Sequence, residues 1–137
     1  MTPLLIILLT LADIGAVKAE PDFDRRSELA LANADRSIDV ARKAYTESDD
    51  KAVTAALQEV AESVELSYDA LGQTHKAPRK SKYYKSAELK VRALIRRLSS
   101  FRDEVGFETR QQVDAAINKL SDIHDGLING VMSKRKQ

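Results

Sequence analysis

The sequence predicts an all-α protein built as an antiparallel up-down-up-down four-helix bundle. Apolar residues recur at helical spacing in four blocks, short polar or glycine-containing breaks separate the blocks, and strand-like alternation is absent. Ala, Leu, Glu, Lys and Arg are prominent, and these residues lose little side-chain freedom in a helix. These three observations together favour helices that pack through one apolar stripe each.

Residues 1–19 are predicted to be a cleavable secretory signal peptide. Residues 3–12 form an apolar run that Asp13 follows, well short of the roughly twenty apolar residues that span a membrane. Val17 and Ala19 suit the positions before a cleavage site after Ala19. No Lys or Arg precedes the run, so a buried core helix or a retained anchor is the alternative. Residues 20–137 would then form one extracytoplasmic domain of 118 residues, periplasmic or secreted.

Four apolar stripes define the predicted helices, and each advances by steps of three and four residues, which places its members on one face. The third and clearest contains Tyr84, Ala87, Val91, Leu94, Leu98, Phe101 and Val105. The second contains Val53, Leu57, Val60, Val64, Tyr68 and Leu71, and the fourth contains Val113, Ile117, Leu120, His124, Leu127 and Val131. The first is weaker and contains Leu31, Ala34, Ile38, Ala41 and Tyr45. A three-helix bundle with a loose first helix is therefore the alternative fold.

Residues at the breaks predict where the helices begin and end. Ser48 or Asp49 would cap the second helix, and Ser81 the third, because their side chains accept hydrogen bonds from free helix amides. The remaining signals are Gly72 and Gly106 as helix ends and Thr109 with Gln112 as a capping box. Within the fourth helix, Gly126 and Gly130 indicate either close backbone approach or local fraying.

Charge is unevenly distributed along this nearly neutral chain. Residues 76–102 contain ten basic residues and one acidic residue, Glu88, whereas residues 20–75 carry a net charge of −7. Opposite charges on neighbouring helices would help to select the correct helix pairing and otherwise form a solvated face. The alternative interpretation is that part of the basic segment exceeds what pairing can neutralise and attracts phosphates or carboxylates.

The candidate binding residues lie in the connection before the third helix and along that helix: Arg79, Lys80, Lys82, Lys85, Arg92 and Arg96. Tyr83 would add an interfacial or stacking aromatic ring. The expected partner is an anionic envelope component or an acidic protein surface, and nucleic acid is disfavoured if the chain is exported. A homo-oligomer is left open. The basic tail of Lys134, Arg135 and Lys136 would either contact an anionic surface or favour the negative end of the last helix.

Residues that would support catalysis or cofactor binding are sparse. The chain has no cysteine and two histidines, His75 and His124, and neither histidine has a recognisable partner in the sequence. We therefore predict no enzymatic activity, no metal site and no cofactor. The expected function is a non-enzymatic binding or structural module of the cell envelope. The alternative is a small-ligand, metal or haem carrier that uses the bundle interior with His124.

Overall fold

Five α-helices make up most of the protein in a computed structural model that describes residues 13–133. They are α1 (Asp13–Ala19), α2 (Phe23–Thr46), α3 (Asp50–Gln73), α4 (Lys82–Glu104) and α5 (Phe107–Met132), with a 3₁₀ turn at Pro78–Lys80. No strand is present in this range. The predicted all-α bundle is therefore confirmed, and α2 to α5 coincide with the four apolar blocks.

The four long helices alternate in direction along the chain. Arg97 of α4 pairs with Asp35 and Asp39 of α2, and Thr54 near the start of α3 bonds Gln112 near the start of α5. Helix α2 packs most extensively on α3 and also contacts α4, while α5 contacts both α3 and α4. The α3–α4 connection therefore crosses the diagonal of the bundle. Because α2 is fully packed, the alternative of a three-helix bundle with a loose first helix is wrong.

The core is formed by the predicted stripes. Every member of the third stripe is buried, and Ile38, Leu71, Leu98 and Leu120 from four different helices have no exposed surface. Burying such a side chain stabilises the fold by about 1.5–3 kcal/mol. Five stripe positions are only partly buried, and they are occupied by Tyr45, Tyr68, Ile117, His124 and Val131.

Small and polar residues line the contact between α2 and α3. The buried small residues of α2 recur in steps of three and four: Ser27, Ala30, Ala34, Ser37, Ala41 and Ala44. Ser27 shares a buried 2.7 Å hydrogen bond with Ser67, and the amide of Asn33 donates to Ser63 at 2.9 Å. Small side chains let the two helices approach closely, and the paired polar groups avoid the cost of burying unsatisfied donors.

The predicted caps at Asp49 and Ser81 are confirmed, whereas the predicted signals at Gly72 and at Thr109 with Gln112 are wrong. Asp49 accepts a 3.1 Å bond from the Ala52 amide, and Ser81 accepts bonds from the first amides of α4. Gly72 lies inside α3, and the left-handed residue after the helix is His75, with φ of 58°. Helix α5 begins at Phe107, and its N-cap residue is Gly106, which has no side chain to accept a hydrogen bond. Thr109 therefore lies inside the helix and does not form the predicted capping box.

Gly126 and Gly130 provide close contacts rather than fraying. A Cβ atom at Gly126 would lie 2.5 Å from the Tyr68 hydroxyl oxygen, and one at Gly130 would lie 3.0 Å from Pro78 Cβ. Their hydrogen side chains let α3 and the 3₁₀ turn pack directly on α5. The contact at Pro78 places the end of α5 beside the connection that precedes α4.

The predicted signal peptide lies partly outside the described residues, which begin at Asp13. Helix α1 packs on α2 and α3 with Val17 buried, and Lys18 pairs with Glu62 at 3.1 Å. Cleavage after Ala19 stays a prediction. Of the helices that the structure describes, none is long and apolar enough to cross a membrane.

Candidate anion-binding surface

A 3₁₀ turn and a helix cap determine where Arg79 and Lys80 lie relative to α4. The chain leaves α3, passes through the 3₁₀ turn at Pro78–Lys80 and enters α4 at Lys82. The Ser81 hydroxyl accepts hydrogen bonds from the amides of Tyr83 and Tyr84, at 3.2 and 3.4 Å, which stops the turn and begins the helix. Arg79 and Lys80 therefore lie directly beside the first turn of α4.

One exposed stripe runs along α4, and we call it the α4 stripe. Its members follow steps of three and four residues and are all exposed: Lys82, Lys85, Leu89, Arg92 and Arg96. This spacing places them on one helix face, opposite the buried positions of the third apolar stripe. Fourteen residues separate its ends, which corresponds to about 21 Å along the helix axis.

Three other cations of the segment pair with neighbouring helices. Lys76 lies 2.5 Å from Asp24, Arg97 binds Asp35 and Asp39, and Arg102 pairs with Asp114. The hydrogen bond to Asp24 raises the pKa of Lys76. Burial would lower the pKa of Arg97, but the two carboxylates outweigh it and the pKa is raised. For these cations, the predicted role in selecting helix partners matches the geometry.

The predicted binding residues behave differently from those cations. All six are exposed, and among residues 13–133 five of them make no ion pair: Arg79, Lys80, Lys82, Lys85 and Arg96. We call the six predicted residues the basic surface. Four of them lie on the α4 stripe, and Arg79 and Lys80 lie in the 3₁₀ turn directly before it. Positive charge without nearby counter-charge raises the local potential and attracts anions.

Arg92 is the exception within the basic surface. Its guanidinium bonds the Glu88 carboxylate one turn earlier, with Nε 3.0 Å from Oε2. Its side chain remains 48 % exposed, so the outer edge of the guanidinium still faces solvent. Arg92 therefore contributes less net positive charge than the five unpaired cations.

Tyr83 lies at the same end of α4 as Arg79 and Lys80. It is half-buried, and the ammonium groups of Lys76 and Lys82 lie 5.4 and 5.3 Å from its ring centroid. Tyr84 is buried and is not available to a ligand. The aromatic ring predicted to support binding is thus Tyr83, and two cations already contact its faces.

The buried hydrogen bonds of Glu88, beneath the α4 stripe, were not predicted from the sequence. Glu88 is 7 % exposed, and its Oε2 lies 2.7 Å from His124 Nε2 on α5, which gives His124 a partner that the sequence did not reveal. Burial would raise the pKa of Glu88, but the hydrogen bonds from His124 and Arg92 outweigh it and lower the pKa. One feature of the sequence could have indicated that Glu88 is buried: it is the only acid in residues 76–102, and it directly follows the core position Ala87.

His124 is the residue on which the carrier alternative depends. Its Nε2 is engaged by Glu88, and within residues 13–133 no cluster of three or more His, Cys, Asp or Glu side chains is arranged to hold a metal ion. The surface groove between α2 and α4 is lined by Leu31, Ala32, Asp35, Lys90, Ala93 and Leu94. The basic tail residues Lys134, Arg135 and Lys136 lie outside the described residues.

The fold and the surface together define an all-α helical bundle with an exposed basic face on one helix. The chain matches no protein-family model, no curated protein and no solved structure. Its function is therefore inferred from its own residues.

Proposed function

We propose that this protein is an exported, non-enzymatic binding or structural module of the cell envelope, and that the basic surface engages an anionic partner. The predicted signal peptide supports the extracytoplasmic location. The observation that carries the binding role is the set of exposed cations, among them Lys80, Lys82 and Lys85, that make no ion pair in the described part of the chain.

The cations of residues 76–102 fall into two groups, one that pairs with other helices and one that is free to bind a partner. Lys76, Arg97 and Arg102 reach acids on α2 and α5, so they already supply the opposite-charge contacts between helices. The cations of the basic surface do not contribute to that pairing. Their concentration on one face costs electrostatic repulsion that an anionic partner would relieve.

Charge reversal of Lys80, Lys82 and Lys85 together to Glu tests this function. The probes are polyglutamate and vesicles that mix phosphatidylglycerol with phosphatidylcholine. A basic side chain near an anionic surface contributes about 1 kcal/mol, so losing three weakens binding about a hundredfold or more. Wild-type affinity should also fall steeply as salt is raised, because exposed charges are screened.

A matched variant controls for net charge. Lys43, Lys51 and Lys90 are exposed lysines outside the basic surface, and their reversal changes the net charge by the same amount. This variant should keep most of the wild-type affinity. If the Lys80, Lys82 and Lys85 variant bound both probes as tightly as the wild type, the proposed function would be wrong.

A further inference from the structure

We infer that the anionic partner is a phospholipid bilayer surface, and that α4 lies along it with Leu89 inserted between anionic head groups. This inference rests on the proposed function and specifies its partner.

Leu89 is the feature that distinguishes a bilayer from a soluble polyanion. It is 56 % exposed and lies at the centre of the α4 stripe, between Lys85 and Arg92. A leucine on the solvent face adds nothing to the core and has no apolar role toward a purely ionic partner. Helices that bind membrane interfaces combine apolar side chains, which enter the acyl boundary, with Lys and Arg, which contact head groups.

The shape of the surface also fits a plane better than a small anion. The α4 stripe is the outer face of one helix, about 21 Å long, and its cations point away from the bundle. Small-ligand sites are concave, with polar groups that converge on the ligand. Cations spread along a convex face instead contact several charges at once, as an array of head groups provides.

The long side chains that flank Leu89 suit the same arrangement. Lys and Arg place their apolar stems against hydrocarbon while the charged ends reach the phosphates. Glu88, the single acid between Lys82 and Arg96, is buried against α5 and presents no negative charge to the bilayer.

A tryptophan placed at position 89 tests the insertion directly, because the chain contains no other tryptophan. The Leu89→Trp variant, purified as cells produce it, is mixed with phosphatidylglycerol-containing vesicles and with pure phosphatidylcholine vesicles. We expect a blue shift of tryptophan emission with the anionic vesicles alone. Phe107→Trp is the matched control, since Phe107 is 72 % exposed at the opposite end of the bundle and should show no shift.

A second variant separates this inference from the proposed function. Leu89→Ser should weaken binding to anionic vesicles about five- to tenfold, from the lost burial of a partly inserted leucine, and should leave polyglutamate binding unchanged. Phe107→Ser should change neither. Unshifted emission at position 89, or Leu89→Ser with full vesicle affinity, would overturn the bilayer inference. If the lysine reversals still abolished binding, an acidic protein surface or a soluble polymer would be the partner.

Discussion

Glu88 is a buried acid on the otherwise basic first part of α4, and it has two hydrogen-bond partners. It receives hydrogen bonds from Arg92 on its own helix and from His124 on α5. Hydrogen bonds to charged groups contribute about 1.5–3 kcal/mol each when they are buried and well formed. The group therefore joins α4 to α5 and fixes the inner side of the helix whose outer side carries the α4 stripe.

Glu88→Gln should reduce stability at neutral pH by about 1–3 kcal/mol, because it removes the charge that both partners bond. The pKa of Glu88 is lowered in the fold, so its contribution is present above the ordinary value of 4.5 and is lost as pH falls through the lowered value. The difference between wild type and variant should therefore shrink below about pH 4.5. Urea unfolding across pH measures it.

Glu28→Gln, at an exposed position of α2, is the control for removing one carboxylate. It should change stability little at any pH. A Glu88→Gln penalty that is constant from neutral to acidic pH would contradict the lowered pKa of Glu88.

At the scale of the helices, apolar periodicity was sufficient to predict the bundle. The stripe from Tyr84 to Val105 is buried throughout, because its spacing repeats on one face for three heptads. The helix ends were less predictable. Gly72 lies inside α3 and does not adopt the left-handed backbone that would end the helix there. Gln112 accepts a hydrogen bond from Thr54 across the bundle and does not cap the local backbone.

Pairing between helices was beyond sequence reasoning for a physical reason. The stripe pattern states which face of a helix is buried but not which helix covers it, so the diagonal α3–α4 connection was not foreseen. The same limit applied to His124 and Glu88, which are 36 residues apart and meet only through the α4–α5 contact. The exposed cations of the basic surface were predictable because they depend on local sequence alone.

The Ser81 side chain caps the start of α4 and should stabilise its first turn. Ser81→Ala removes the acceptor for the amides of Tyr83 and Tyr84 and should cost about 1 kcal/mol. Amide hydrogen exchange should rise in the first turn, which holds Lys82 and Lys85. Ser99→Ala, at an exposed position within α4, is the control and should leave exchange there unchanged. Equal protection of the first turn in Ser81→Ala and wild type would refute the capping role.

The whole molecule combines a closed helical core with an asymmetric charge distribution. The interior is filled by side chains from four helices, while four exposed cations that make no ion pair within residues 13–133 lie at the start of α4: Arg79, Lys80, Lys82 and Lys85. The proposed function is that of an exported protein that acts through the basic surface.

The measurement to make first is the native intact mass of the protein recovered from fractionated cells, because it reports the N-terminus, the oligomeric state and any tightly bound ligand together. We expect a chain that begins at Glu20, in the extracytoplasmic fraction, with no added mass from a small ligand or metal. A full-length chain in the cytosol would contradict export, and a stoichiometric bound ligand would favour a carrier that uses His124.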